Sequence, residues 1–227
     1  MSGVGEAARL AAPGESGVWR YAALLPQLDA AHRLTLGEGN TPLVRSRAIA
    51  RELGLHRLYF KLESANPTGS YKDRISAVGV SAALARGRAA LIGTSSGNAG
   101  ASVAAYAARA GLPYHLLVLE HVAEAKIGQA LLHGARIRKI AGFGTSTEVG
   151  ERVFRYIEAA AQRANWEVMI TAFRYNALAM EGVKTIAFEL YEQLGGRAPD
   201  AVFAPAGGGG LCAGVDRGFA ELAARGL

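Results

Sequence analysis

An α/β architecture of parallel strands covered by helices is the expectation for this 227-residue chain, and three features carry it. Short apolar runs alternate with helix-length segments along most of the sequence. Two of those runs end in turns of small residues, Thr94–Gly97 and Gly207–Gly210, that lead directly into the next helical segment. The chain is 50% hydrophobic, enough to bury a sizeable core in one or two lobes.

The elements follow in order. Alanines at 7–12 and the glycines before Trp19 suggest a loose N-terminus. Leu58, Tyr59 and Phe60 form a short apolar strand. Pro67 and Gly69 punctuate a polar turn, Ser70 can cap a helix, and Ile75–Ala85 is small and apolar enough to be buried. A strand at Ala89–Gly93 then gives way to a small-residue helix at Ala99–Ala110. Further along come a strand at Tyr114–Leu119, a helix at about Ala123–His133, a strand at Arg136–Ile140 and a long helix over Thr147–Ala164. The last elements are a strand at Glu167–Thr171, a helix at Gly182–Leu194, a strand at Ala201–Ala204 and a helix ending near Ala224. In parallel sheets of this kind ligands bind at the C-terminal ends of strands, where both small-residue turns fall.

Three segments carry chemistry. Asn66-Pro67-Thr68-Gly69-Ser70-Tyr71-Lys72-Asp73-Arg74 delivers Lys72 onto a helix start, where a lysine is a candidate Schiff-base nucleophile. The helix N-terminus beside it favours an anionic ligand. Leu91–Gly100 and Val202–Gly210 each run from an apolar strand into a turn whose backbone amides can approach a phosphate closely.

In that order, lysine turn, Ser-Gly-Asn loop and glycine loop, the segments resemble the fold-type II pyridoxal 5'-phosphate (PLP) enzymes, and within them most closely the threonine synthases. Gly37-Glu38-Gly39-Asn40-Thr41-Pro42-Leu43, Lys61-Leu62-Glu63, Glu181-Gly182-Val183-Lys184-Thr185 and Gly17-Val18-Trp19-Arg20-Tyr21 extend the likeness over about Gly17 to Gly214. The resemblance implies two open, mostly parallel sheets with flanking helices and a small lobe set into a larger one. Residues 74–163 would form the small lobe, and 1–73 with 164–227 the cofactor-binding large lobe. It also implies PLP as cofactor, with Lys72 as its Schiff-base partner and catalytic base. Asn98 would meet the cofactor's phenolic oxygen, and Gly207, Gly208, Gly209 and Gly210 its phosphate. Thr94, Ser95, Ser96 and Gly97 would hold the substrate carboxylate. A homodimer is expected.

Two departures bear on the reaction. Threonine synthases commonly carry an arginine two residues before the Glu-Gly pair, where this chain has Ala179; Arg174 could reach in instead. Val183 stands where glutamine is frequent, and four successive glycines resemble the loops of dehydratases and cysteine synthases. Family members also continue well beyond the glycine loop, so the chain reads as truncated at its C-terminus. The activity implied is that of a lyase converting O-phosphohomoserine and water to threonine and phosphate. The alternatives are a serine/threonine dehydratase, a β-replacement enzyme such as a cysteine synthase-like protein, and a non-catalytic PLP-binding or ligand-sensing protein.

Weaker readings attach to other residues. Lys61 reads as an edge or snorkelling lysine, and Glu181 with Lys184 as an i,i+3 surface pair as readily as a cofactor neighbour. Tyr71 is as readily a core aromatic as a proton carrier. The net charge of +6 is dispersed without interleaved aromatics, which argues against nucleic acid and for anionic small molecules. Cys212 is the single cysteine, which excludes an internal disulfide and suits a reducing compartment. No metal-ligand cluster and no membrane-length apolar span is visible, so a cytoplasmic protein without a membrane partner is expected.

Overall fold

The apolar runs near residues 90 and 114 become the two central strands of a parallel sheet. In the computed structural model, which describes residues 10–95 and 97–227, the chain opens with 3₁₀ turns at Gly17–Leu24 and Ala30–His32. Then come β1 (Leu43–Arg45), α1 (Ala48–Glu52), β2 (Tyr59–Lys61), α2 (Lys72–Ala85), β3 (Ala90–Thr94) and α3 (Asn98–Ala110). After these follow β4 (Tyr114–Leu119), α4 (Glu124–Leu132), β5 (Arg136–Ile140), α5 (Thr147–Ala164) and β6 (Trp166–Val168). The last elements are α6 (Phe173–Met180), a 3₁₀ turn at Glu181–Lys184, α7 (Thr185–Gln193) and α8 (Gly210–Ala224).

The strand order is β5-β4-β3-β6, parallel throughout, and the composition of the strands suits their places in it. β3 is buried along nearly its whole length, as a strand covered on both faces must be. Arg136, Arg138 and Lys139 line the exposed positions of β5 and blunt this free edge against further pairing. Alternation along the central strands sends Leu91, Leu116 and Val118 into one core with α2 and α3. Ile92 and Leu117 enter a second core with Val153 and Ile157 of α5. The sheet is thus sandwiched between helices, as an α/β domain requires.

α2 is buried from Asp73 to Ala83, the mark of a helix covered on all sides. α5 starts at Ser146, whose side chain accepts from the Val149 amide, and stops at Asn165 in the left-handed region. β4, β5 and α5 have the bounds expected from the sequence. β1, α1 and α6 are additions to it. The second sheet is a two-stranded antiparallel pair, with Val44 opposite Phe60. Residues 201–206, expected to begin with a strand, have no regular structure, and Val202 and Phe203 are 44% and 93% exposed. Strand geometry needs a hydrogen-bonded neighbour, and none of the described strands pairs with this run.

Candidate functional site

Lys72 is the first residue of α2, and the turn before it is tied down by its neighbours rather than by a Ser70 N-cap. Tyr71 occupies the cap position, while Ser70 Oγ accepts from the Lys72 amide at 3.3 Å. The Asp73 carboxylate accepts from both the amide and the hydroxyl of Thr68, at 2.7 and 2.5 Å. Asn66 donates to Glu63 and accepts from the Gly39 amide. Arg74, fully buried, makes two-pronged contacts to Glu63 and to Glu189 and reaches Thr185. With Asn66, Thr68, Asp73 and Arg74 committed to the scaffold, Lys72 is the charged residue of the turn that remains available. Its Nζ donates to the Tyr71 hydroxyl at 2.7 Å and forms no ion pair among the described residues.

Other lysines are differently placed. Lys61 does lie on an edge strand, β2, but does not snorkel to solvent: its Nζ is 2.6 Å from Glu189 Oε2 and 2.8 Å from the Thr41 carbonyl, largely buried. Burial lowers its pKa, with Glu189 opposing the shift. Lys184 does pair with Glu181, but inside the fold rather than on the surface, and also meets Glu221 and the Leu24 carbonyl.

Asn98 heads α3, at the same end of the molecule as Lys72. A hydrogen bond of 2.7 Å joins Ser76, four residues into α2, to Ser102, four residues into α3. Both helices return antiparallel to β3, so one helical turn back from this bond lie Lys72 and Asn98. Thr94 ends β3; Ser95 Oγ accepts from the Gly97 amide at 3.2 Å, closing the loop between them. Ser96 lies outside the described residues. Gly207 and Gly208 are exposed, Gly209 has φ +75°, and Gly210 begins α8. A Cβ on Gly207, Gly208 or Gly209 would meet nothing within 4 Å, whereas one on Gly210 would lie 2.8 Å from Met180 Cε. Met180 shares an apolar cluster with Ile75, and Tyr71 and Leu211 pack against it. The lysine turn and the glycine loop's exit therefore meet on one core. Arg174 stands apart from that core, exposed on α6 with its guanidinium over the Tyr175 ring.

A family model described as "Pyridoxal-phosphate dependent enzyme" matches residues 34–226. The chain belongs to that family. Threonine synthase of Methanocaldococcus jannaschii is 38% identical over 94% of this chain and 51% of its own length. Among solved structures, a threonine deaminase from T.th. has a TM-score of 0.65 at 31% identity, covering 81% of this chain and 56% of that one. Escherichia coli diaminopropionate ammonia lyase reaches a TM-score of 0.71 over 84% of this chain and 53% of that one; at 23% identity it shows the fold alone. The chain spans about half the length of the curated relatives it matches.

The residues present fit the family's cofactor. An amine whose partner is a hydroxyl, an asparagine heading the adjoining helix and open space over a glycine turn at the start of a 15-residue helix are compatible with a pyridine aldehyde phosphate. Two clefts elsewhere, between β5 and α5 and beside α1, touch none of these residues. Nor does the sequence alone reveal Glu189 or Asp73. Burial raises the Asp73 pKa against the pull of Ser102 and Thr68. Burial also pushes the Glu189 carboxyl up, but Arg74 and Lys61 override it and hold it at about 2. Glu189 sits 115 positions from Arg74, too far for any local pattern.

Ala179 has a packing role. It is 1% exposed, and its Cβ would lie 2.8 Å from a Cβ placed on Gly79. An arginine aimed along this direction would drive into α2.

Proposed function

We propose that this chain is the lysine-bearing part of a PLP-dependent lyase of amino-acid metabolism with threonine synthase-like activity on O-phosphohomoserine. The observation that carries the reading is Lys72, presented at the head of α2 without a carboxylate partner among the described residues while Lys61 and Lys184 are consumed by buried ion pairs. PLP, when bound, supplies an electron sink that makes the α-proton of an amino-acid substrate removable. Lys72 would hold the cofactor and, once released, move the proton at Cα and then at Cβ. The amides of Gly207–Gly210 would bind the cofactor phosphate, and Asn98 would orient the ring from the adjoining helix. Thr94, Ser95 and Gly97 offer hydroxyls and amides to the substrate carboxylate. Arg174 is the residue proposed for the substrate phosphate in place of the arginine that Ala179 replaces.

In this reading residues 74–163 belong to the small lobe and the remainder to the large one, in a cytoplasmic homodimer. Cys212, a free thiol, suits that compartment. Among the described residues no helix is long and apolar enough to cross a membrane.

A dehydratase is the second reading, favoured by the four-glycine loop and the likeness to a threonine deaminase at 31% identity. Product analysis after PLP loading separates them. Threonine with phosphate from O-phosphohomoserine supports the first, and a 2-oxo acid with ammonia from serine or threonine the second. Cofactor binding without turnover of any of these substrates would sink both.

A further inference from the structure

The unit made of β1, α1 and β2 carries a cleft of about 630 Å³ whose lining includes Arg45, Ser46, Arg47, Arg51, Leu55 and His56. Its frame is hydrogen-bonded: the Arg45 guanidinium donates to the His56 carbonyl at 3.1 Å, and the Ser46 amide donates to the Leu58 carbonyl at 2.8 Å. Ser46 Oγ accepts from the Ala50 amide at 3.3 Å. Elsewhere in the molecule Arg20, Arg33, Arg74, Arg86 and Arg88 each reach a carboxylate, while exposed arginines such as Arg109, Arg136 and Arg152 reach none among the described residues, so what sets the next three apart is their gathering around one cleft. Among the described residues Arg45, Arg47 and Arg51 reach none, although all three are exposed around one concavity. Glu52, the adjacent acid on α1, does not line it.

Three guanidiniums gathered without a carboxylate repel one another, and attraction to a bound polyanion outweighs that repulsion. Guanidinium forks match phosphate oxygens two at a time, and a chain of linked phosphates brings more charge and more oxygens within reach of all three than a single phosphate does. Leu55 and Ala50 add an apolar wall beside the charges, suited to the organic part of a larger ligand. We propose that this cleft binds the polyphosphate chain of a small molecule, at a site separate from Lys72 and independent of which reaction the chain performs. Inorganic polyphosphate and a nucleoside triphosphate share that chemistry.

Isothermal titration of the 227-residue chain at 0.15 M salt, with tripolyphosphate, ATP and orthophosphate, tests the assignment. Saturable one-to-one binding of at least one of the two polyphosphates is expected, with orthophosphate weaker by about tenfold or more, since each charge-assisted guanidinium contact is worth roughly that factor. Equal affinity for ATP and tripolyphosphate assigns the site to the inorganic chain, and tighter ATP assigns it to a nucleotide. Arg47→Ala with Arg51→Ala should weaken binding about 100-fold by the same reckoning, while Arg47→Lys with Arg51→Lys, which keeps charge but loses the forks, should fall between. Unchanged circular dichroism in both double variants shows that they fold, and Lys72→Ala should bind as the parent does. Absence of saturable polyphosphate binding, undiminished binding in the Ala double variant, or loss of binding in Lys72→Ala would each overturn the proposal. So would tighter binding of an RNA oligonucleotide that the double Ala variant abolishes, since that would assign the cleft to nucleic acid.

Discussion

Lys72 owes its availability to the residues around it. Thr68 and Asp73 close the turn, Arg74 is anchored to Glu63 and Glu189, and among the described residues the amine's hydrogen-bond partner is a phenol. Lys72→Ala should therefore abolish covalent capture of PLP, read as loss of the borohydride-trapped adduct in peptide mapping, whereas Lys61→Ala and Lys184→Ala should retain it. Capture that survives in Lys72→Ala would remove the central assignment. Tyr71→Phe keeps the ring and deletes the hydroxyl that accepts from Nζ. It should leave capture intact and weaken PLP affinity by roughly three- to tenfold, the worth of one partly solvated hydrogen bond to a charged group. Equal affinities would mean that the hydroxyl only packs. The lysine itself is legible in the sequence because a turn, a helix start and an amine lie within nine residues. Its support is not: Glu189 and Ser102 are distant in sequence, and no local pattern shows that Asp73 and Arg74, though part of the same motif, are committed to holding the turn.

Among the elements, α2 is the one on which the candidate site depends, and it is held on two sides. Ser76 and Ser102 join it to α3, so Ser102→Ala should cost about 1 kcal/mol by urea unfolding and shift the asparagine loop relative to the lysine. Glu181–Lys184 closes on its other side, where a Cβ on Gly182 would fall 2.0 Å from the Arg74 carbonyl oxygen. Gly182→Ala must push this turn off α2. We expect a loss of a few kcal/mol, in the range of overpacked cores, together with weaker PLP binding; a variant as stable as the parent would show that the approach is not tight. These contacts also explain which elements the sequence discloses. β3, β4 and α5 announce themselves because long apolar or amphipathic patterns outweigh local irregularity. β1, α1 and α6 are too short to carry a period, and β1 exists only because β2 lies across from it. The run at 201–204 has the composition of a buried strand and lacks a paired strand among the described residues, which no local pattern can express.

For the whole molecule, the charge network around Glu189 ties β2, the lysine helix and α7 into one body. Arg74 meets Glu189 through both carboxylate oxygens at 2.6 and 2.9 Å, Lys61 adds a contact at 2.6 Å, and Glu63 takes the other side of Arg74. Breaking such a buried set at one member strands its partners, so Glu189→Ala should destabilise the chain by about 3–5 kcal/mol. Acid should act on the same residues. Burial alone would raise the Glu189 pKa, yet Arg74 and Lys61 bring it from an ordinary 4.5 to about 2; the Glu63 carboxyl is likewise lowered, by Arg74 against its own burial. A carboxyl depressed in the folded state binds fewer protons there than in the unfolded chain. Its stabilisation is therefore complete above the unfolded value and drains away as pH falls through the folded one. Asp73, raised by burial, has the opposite sign: its contribution is present in acid and is lost as pH rises through its folded value, so it partly offsets the decline. The urea midpoint should fall between pH 4.5 and 2, the Glu189 window. For Glu189 the loss is on the order of 3 kcal/mol, taken from the size of its shift. Glu189→Gln, which cannot titrate, should start lower at pH 7 and decline less steeply through that window. An acid limb as steep in Glu189→Gln as in the parent would place the acid sensitivity of the fold outside this network.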